Sequence, residues 1–111
     1  MVDEPVVATV RTYLEAIERA GVHVSFGVVF GSFAQGAAGQ WSDIDLVVVS
    51  THFDGPRRRE DIALLWRTAA RVDSRIEPIA CGEQQWLTDD TSAVIEVARR
   101  DGQRISLPEA A

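Results

Sequence analysis

The chain has no lysine and one cysteine; all eleven of its basic residues are arginine. A lone thiol, Cys81, cannot close an intramolecular disulfide, and it ends an apolar run with no histidine beside it to make it a nucleophile. No signal-peptide core or bilayer-length apolar run is present, so the cytoplasm is the expected compartment and no membrane contact is anticipated. Positive charge is scarce. Eleven arginines stand against seventeen acids, a net charge of -6, which argues against a direct, tight grip on nucleic acid. The two histidines, His23 and His52, have no second histidine or cysteine at metal-ligand spacing, so both read as surface residues. There is no internal repeat, no low-complexity tract and no sign of a second domain. With 111 residues, 46% of them hydrophobic, residues 1–111 form one globular domain able to bury roughly 65% of the unfolded surface.

What is present concentrates between Val28 and Ser50, in VVFGSFAQGAAGQWSDIDLVVVS. Asp43 and Asp45 head the β-branched run Leu46-Val47-Val48-Val49, which reads as a buried strand. The period of two puts both carboxylates on one face. Two anions side by side repel, and such a pair at the edge of a buried strand is best explained as a holder of divalent cations. Magnesium is the natural choice, since it takes one or two carboxylates and fills its other positions with water and substrate phosphates. Gly31-Ser32 would supply the phosphate cradle. Gly31 ends the strand Val28-Val29-Phe30 and lets the backbone turn sharply, and Ser32 would open a short helix to Ala38 whose free N–H groups attract an anion. Taken singly, an Asp-x-Asp strand is an edge strand with solvated charges and a Gly-Ser pair is a turn; in this order they point to a nucleotide site.

The other elements frame this stretch. Asp3-Glu4-Pro5 reads as a helix start, followed by Val6, Val10, Leu14 and Ile17 at helical spacing and by Gly21 as the stop. Val22 to Phe30 reads as the first strand. Trp41 is expected to pack. Asp54-Gly55-Pro56 is a turn, and Arg57-Arg58-Arg59 precede a helix with Ile62, Leu65, Trp66, Ala69 and Val72 as its inner face. Those three arginines read as a solvated, locally paired cluster, with contact to a triphosphate or an acidic partner as the functional alternative. Asp73 to Ala80 reads as the third strand, and Pro78 within it marks an edge. Gly82 to Leu87 reads as irregular, with Trp86 and Leu87 docked on the core. Asp90 or Ser92 caps a last helix ending at Asp101-Gly102, and Arg104 to Leu107 reads as a short strand.

Phe30-Gly31-Ser32, a ten-residue spacer and Asp43-Ile44-Asp45-Leu46 resemble the signature of the polymerase-β-like nucleotidyltransferase superfamily, in the size and layout of its minimal branch. The resemblance covers about residues 24 to 80. It implies an α/β (α+β) fold, a small mixed β-sheet flanked by helices. It also implies transfer of a nucleoside monophosphate, AMP for instance, from ATP or another nucleoside triphosphate to a hydroxyl acceptor. Two Mg²⁺ ions would be held by three acids: Asp43, Asp45 and, as the position that matches the third ligand, Glu77. The alternative for Glu77 is an exposed edge glutamate or an ion pair with Arg75, and Asp73 is a competing acid. Minimal members often act beside a small helical HEPN partner as the antitoxin of a toxin–antitoxin pair, which gives the expected acceptor. One departure stands out. Such members often carry arginines after the Gly-Ser, where this chain has Phe33-Ala34-Gln35-Gly36; Phe33 and Gln35 slightly favour the rival reading of a binding-only antitoxin or scaffold, and the intact Gly-Ser, Asp-x-Asp and third acid favour an enzyme. Transfer to a small molecule or an RNA is a third reading, and a homo-oligomer is compatible with all three.

Overall fold

The computed structural model describes residues 2–34, 39 and 42–108. Helix α1 (Glu4–Arg19) starts after Asp3 with proline in its first turn, and its buried face is Val6, Val7, Val10, Tyr13, Leu14 and Ile17. Strand β1 (Phe26–Phe30) leads to the Gly-Ser turn, and β2 (Ile44–Ser50) follows. After a short 3-10 turn (Thr51–Phe53) come α2 (Arg59–Val72), β3 (Ile76–Gly82), α3 (Glu83–Thr88), α4 (Ala93–Asp101) and β4 (Gln103–Ile105).

The four strands form one mixed sheet in the order β3-β2-β1-β4, with β1 antiparallel to β2 and β4, and β2 parallel to β3. Pro78 lies on β3, an edge strand, where its missing N–H costs the sheet least. Alternation along β2 divides the interior into two layers. Ile44, Leu46 and Val48 join α1 and Leu65 and Ala69 of α2 on one face. Val47 and Val49 join Val28, Cys81, Trp86, Ile95 and Ala98 under α3 and α4 on the other. The fold is therefore α+β, as the motif resemblance implies.

Four expectations need correction. β1 begins at Phe26 rather than Val22 because the preceding segment satisfies its polar groups with side chains. The Glu18 carboxylate accepts from the Val24 N–H at 2.7 Å, and the Ser50 hydroxyl donates to the His23 carbonyl. β3 begins at Ile76 rather than Asp73, since the Asp73 carboxylate folds back onto the Arg75 N–H at 2.9 Å and forms a local turn. Residues 83–88 are helical, started by the Asp54 carboxylate, which accepts from the Gln84 N–H at 2.9 Å; Trp86 docks as expected, but Leu87 is 64% exposed. On α2 the inward residues are Leu65, Thr68 and Ala69, while Ile62 (36% exposed) and Trp66 (48%) face out. Thr68 goes inside at little cost because its hydroxyl donates to the Leu64 carbonyl at 2.8 Å.

Candidate active site

β1 runs toward one end of the sheet, where its neighbour β2 and, on the far side of β2, β3 begin. The end of β1 and the beginnings of β2 and β3 thus meet at one corner. Asp45 is the hinge of that corner: it lies opposite Phe30 on β1 and opposite Glu77 on β3. In a parallel pair, residues in register point to the same side, so Asp45 and Glu77 stand on one face. Asp43, two residues before Asp45, belongs to that face too and is exposed. A hydrogen bond from the Ile44 N–H to the Arg75 carbonyl, at 2.8 Å, fixes the start of β2 against the approach to β3.

The three carboxyls act on one another. Glu77 is held above the usual carboxylate range, first by the charge of Asp43, then by desolvation, then by the charge of Asp45. Asp45 is also raised, by burial first and by Asp43 last, while its hydrogen bond with Glu77 pulls the other way. Crowding of like charge and burial thus make Glu77 and Asp45 harder to ionise than isolated carboxyls. The competing acid is accounted for otherwise. Asp73 binds the Arg75 guanidinium at 2.7 Å and is held below its ordinary value by that contact, so Arg75 is engaged by Asp73 rather than by Glu77. The ion pairs among the described residues involve none of Asp43, Asp45 and Glu77.

Gly31 closes the corner from the β1 side. Its φ of +75° is in the left-handed region, and a Cβ placed on it would lie 2.5 Å from Oδ2 of Asp45. Glycine is thus required both by the turn and by the approach of the carboxylate. Ser32 follows in the turn spanning 31–34, and the Phe33 ring packs against the α1 side of the core with the Arg75 guanidinium 5.7 Å from its centroid. The remainder of the expected helix to Ala38, Gln35-Gly36 and Trp41 lie outside the described residues.

An all-oxygen set of three carboxylates, charged against its own preference and free of arginine partners in the ion pairs above, has the donor chemistry of a hard divalent cation such as Mg²⁺. Among the described residues no three histidine, cysteine, aspartate or glutamate side chains converge on a cation position.

The other sequence candidates lie elsewhere. His23 pairs with Glu18 at 3.1 Å and His52 with Asp61 at 3.1 Å. Of the arginine cluster, Arg57 donates to the Gln85 side chain and Arg58 sits 3.9 Å from Glu60, in keeping with a locally paired surface. Cys81 is buried, and burial pushes its thiol up to about 11. The contact of Arg75 with Phe33 beside the turn had no signal in the sequence, being a product of the chain path.

A four-stranded mixed sheet with a glycine turn and an Asp-x-Asp strand at one corner defines the polymerase-β-like nucleotidyltransferase fold. The family model for the nucleotidyltransferase domain matches residues 10–81, and the chain belongs to that family. Solved structures agree on the fold. A candidate nucleotidyltransferase from Sulfolobus solfataricus superposes with a TM-score of 0.61 at 16% identity, covering 88% of this chain and 77% of the other. A toxin–antitoxin complex with AMP-PNP gives 0.59 at 18% identity, covering 89% and 74%. A mutant of the toxin–antitoxin MntA–HpeT, with two Asp-to-Glu changes two positions apart, gives 0.58 at 16% identity, covering 89% and 74%. No curated protein matches the chain. Among the described residues, no helix is long and apolar enough to cross a membrane.

Proposed function

We propose that this chain transfers a nucleoside monophosphate, AMP in the first instance, from a nucleoside triphosphate to a hydroxyl on a partner protein, with Mg²⁺ as cofactor. The observation that carries the reading is the register of Asp45 with Glu77, with Gly31 pressed against the Asp45 carboxylate. Asp43, Asp45 and Glu77 would hold two Mg²⁺ ions. Bound there, the ions supply neutralisation of phosphate charge and a more acidic acceptor hydroxyl. The Gly31-Ser32 turn binds the phosphates: Gly31 leaves the backbone bare on that side, and the Ser32 hydroxyl is a donor. Glu77, on the edge strand, faces the acceptor. The acceptor's hydroxyl releases its proton to solvent, and its oxygen forms a bond to the α-phosphorus as the bond from that phosphorus to the β-phosphate oxygen breaks and pyrophosphate departs. The chain contributes placement and charge, with no covalent intermediate on a side chain.

The acceptor is proposed to be a HEPN-type toxin, with this chain as its antitoxin. The toxin–antitoxin structures that share the fold, one of them with AMP-PNP, support this choice of partner and of ATP as donor. The test is incubation with Mg²⁺, each labelled triphosphate and the product of the neighbouring gene. Label on the partner that disappears with Asp43→Asn, Asp45→Asn or Glu77→Gln supports the reading; label unaffected by all three refutes the site. A second reading, silencing by binding alone, is favoured by the apolar Phe33-Ala34 after Ser32, where the turn offers no cationic side chain. Partner silencing that survives Asp43→Asn at full strength selects it.

A further inference from the structure

The outer face of α2 does not fit a surface made only for water. Ile62 and Trp66, one helical turn apart, are 36% and 48% exposed, and Ala70 continues the row one turn further on. Surface helices usually turn charge outward along such a row. Arginines border it instead. Between residues 57 and 72 five arginines stand against Glu60 and Asp61, on a chain whose net charge is -6. Both acids are engaged: Asp61 holds His52, and Glu60 is beside Arg58. Among the described residues no ion pair involves Arg59, Arg67 or Arg71, although acids outnumber arginines over the chain.

An apolar row with unpaired cations along it is complementary to one kind of surface. We propose that the Ile62–Trp66–Ala70 row of α2 is a docking site for a partner helix whose apolar stripe is flanked by aspartate and glutamate. The indole of Trp66 supplies the anchor, as tryptophan does at the centre of many interfaces, and Arg67 and Arg71 select the sign of the partner's charge. The row shares no residue with the acid corner. Its occupation needs no nucleotide and no metal, so the inference stands or falls independently of the transferase reading.

The test uses the full chain and two synthetic amphipathic helices of equal length and the same leucine stripe, one flanked by glutamate and the other by lysine. Binding by fluorescence anisotropy is expected to favour the glutamate peptide by about tenfold. The double change Arg67→Glu with Arg71→Glu is expected to reverse that order, and Trp66→Ser to weaken both peptides. All altered side chains are exposed, and thermal melts are expected to show each variant folded. Equal binding of the two peptides, or an order untouched by charge reversal, overturns the proposal. So does a dimer of the chain alone that dissociates with Trp66→Ser, since that result gives the face to a second copy.

Discussion

Replacing Gly31 by alanine separates two effects that meet at one atom. The first is conformational. At a φ of +75° an L-residue suffers a steric cost of about 1–2 kcal/mol that glycine avoids. The second is contact: the new methyl would begin 2.5 Å from Oδ2 of Asp45, a separation no real Cβ tolerates. The carboxylate is the end of a rotatable side chain, so it swings away while the strand stays. Stability then falls by little more than the conformational cost, and about 4–8 °C of melting temperature is lost per kcal/mol in a domain of this size. The site loses more. An ångström of misplacement in a positioned group can cost about a hundredfold in rate, and nucleotide transfer is expected to fall by that order.

Gly21 provides the control. Its φ is +102°, and a Cβ there meets nothing within 4 Å. Gly21→Ala should therefore reproduce the melting loss and leave nucleotide transfer, or Mg²⁺ binding in the absence of an acceptor, at the parent level. The assay is a pair of melting curves with a Mg²⁺ titration by calorimetry and the labelled-triphosphate reaction. If Gly31→Ala binds Mg²⁺ and transfers label as well as Gly21→Ala does, the turn is not seated on Asp45 and the argument for the corner fails.

Three further outcomes are expected. Tyr13→Phe removes a buried hydroxyl that donates to the Leu65 carbonyl at 2.9 Å, joining α1 to α2, and should cost about 1 kcal/mol in urea unfolding; a neutral result would mean the bond contributes nothing net. Cys81, with its thiol pushed up to about 11 by burial, should resist iodoacetamide at pH 8 in the folded chain and react at once in denaturant. For the acid corner the sign is set by the raised value of Glu77: its contribution to stability is complete below the ordinary carboxylate range and is lost as pH rises through the raised folded value. Asp43→Asn removes the largest cause and should lessen that loss, while Mg²⁺ should raise the melting temperature of the parent chain and not of the double variant Asp43→Asn with Asp45→Asn.

The parts of this molecule that could be read from its sequence are those whose cause is local. Strand β2 announces itself through Leu46 to Val49, α1 through its cap and its helical spacing, and the Gly31 turn through the break between two apolar runs. What escaped has its cause far along the chain. Helix α3 is started by Asp54, thirty positions before Gln84, and nothing within residues 83–88 reveals that acceptor. Helical spacing alone puts Trp66 inward because the apolar residues of α2 cover more than one face, and only the packing of Thr68 shows which part of that arc is inside. Glu77 lies between these cases. Its type was legible as an acid in an apolar strand, but its place opposite Asp45 is a property of strand pairing.

The spacing of the two aspartates follows from the core as much as from any chemistry. Ile44, Leu46 and Val48 are fully buried on the α1 side, so the residues between and before them must face the other way. Beyond the cover of α3 and α4, that second face is the one place on β2 where a carboxylate can stand near both water and Glu77. A slip of β2 by one residue would drive Asp43 and Asp45 under α1 and turn Ile44 and Leu46 out, losing the burial of both apolar side chains and desolvating two charges at once. The acids are therefore held in register by the aliphatic residues that alternate with them. The same aliphatic residues keep like charges together at a corner that, with no cation, would be more stable without one of them.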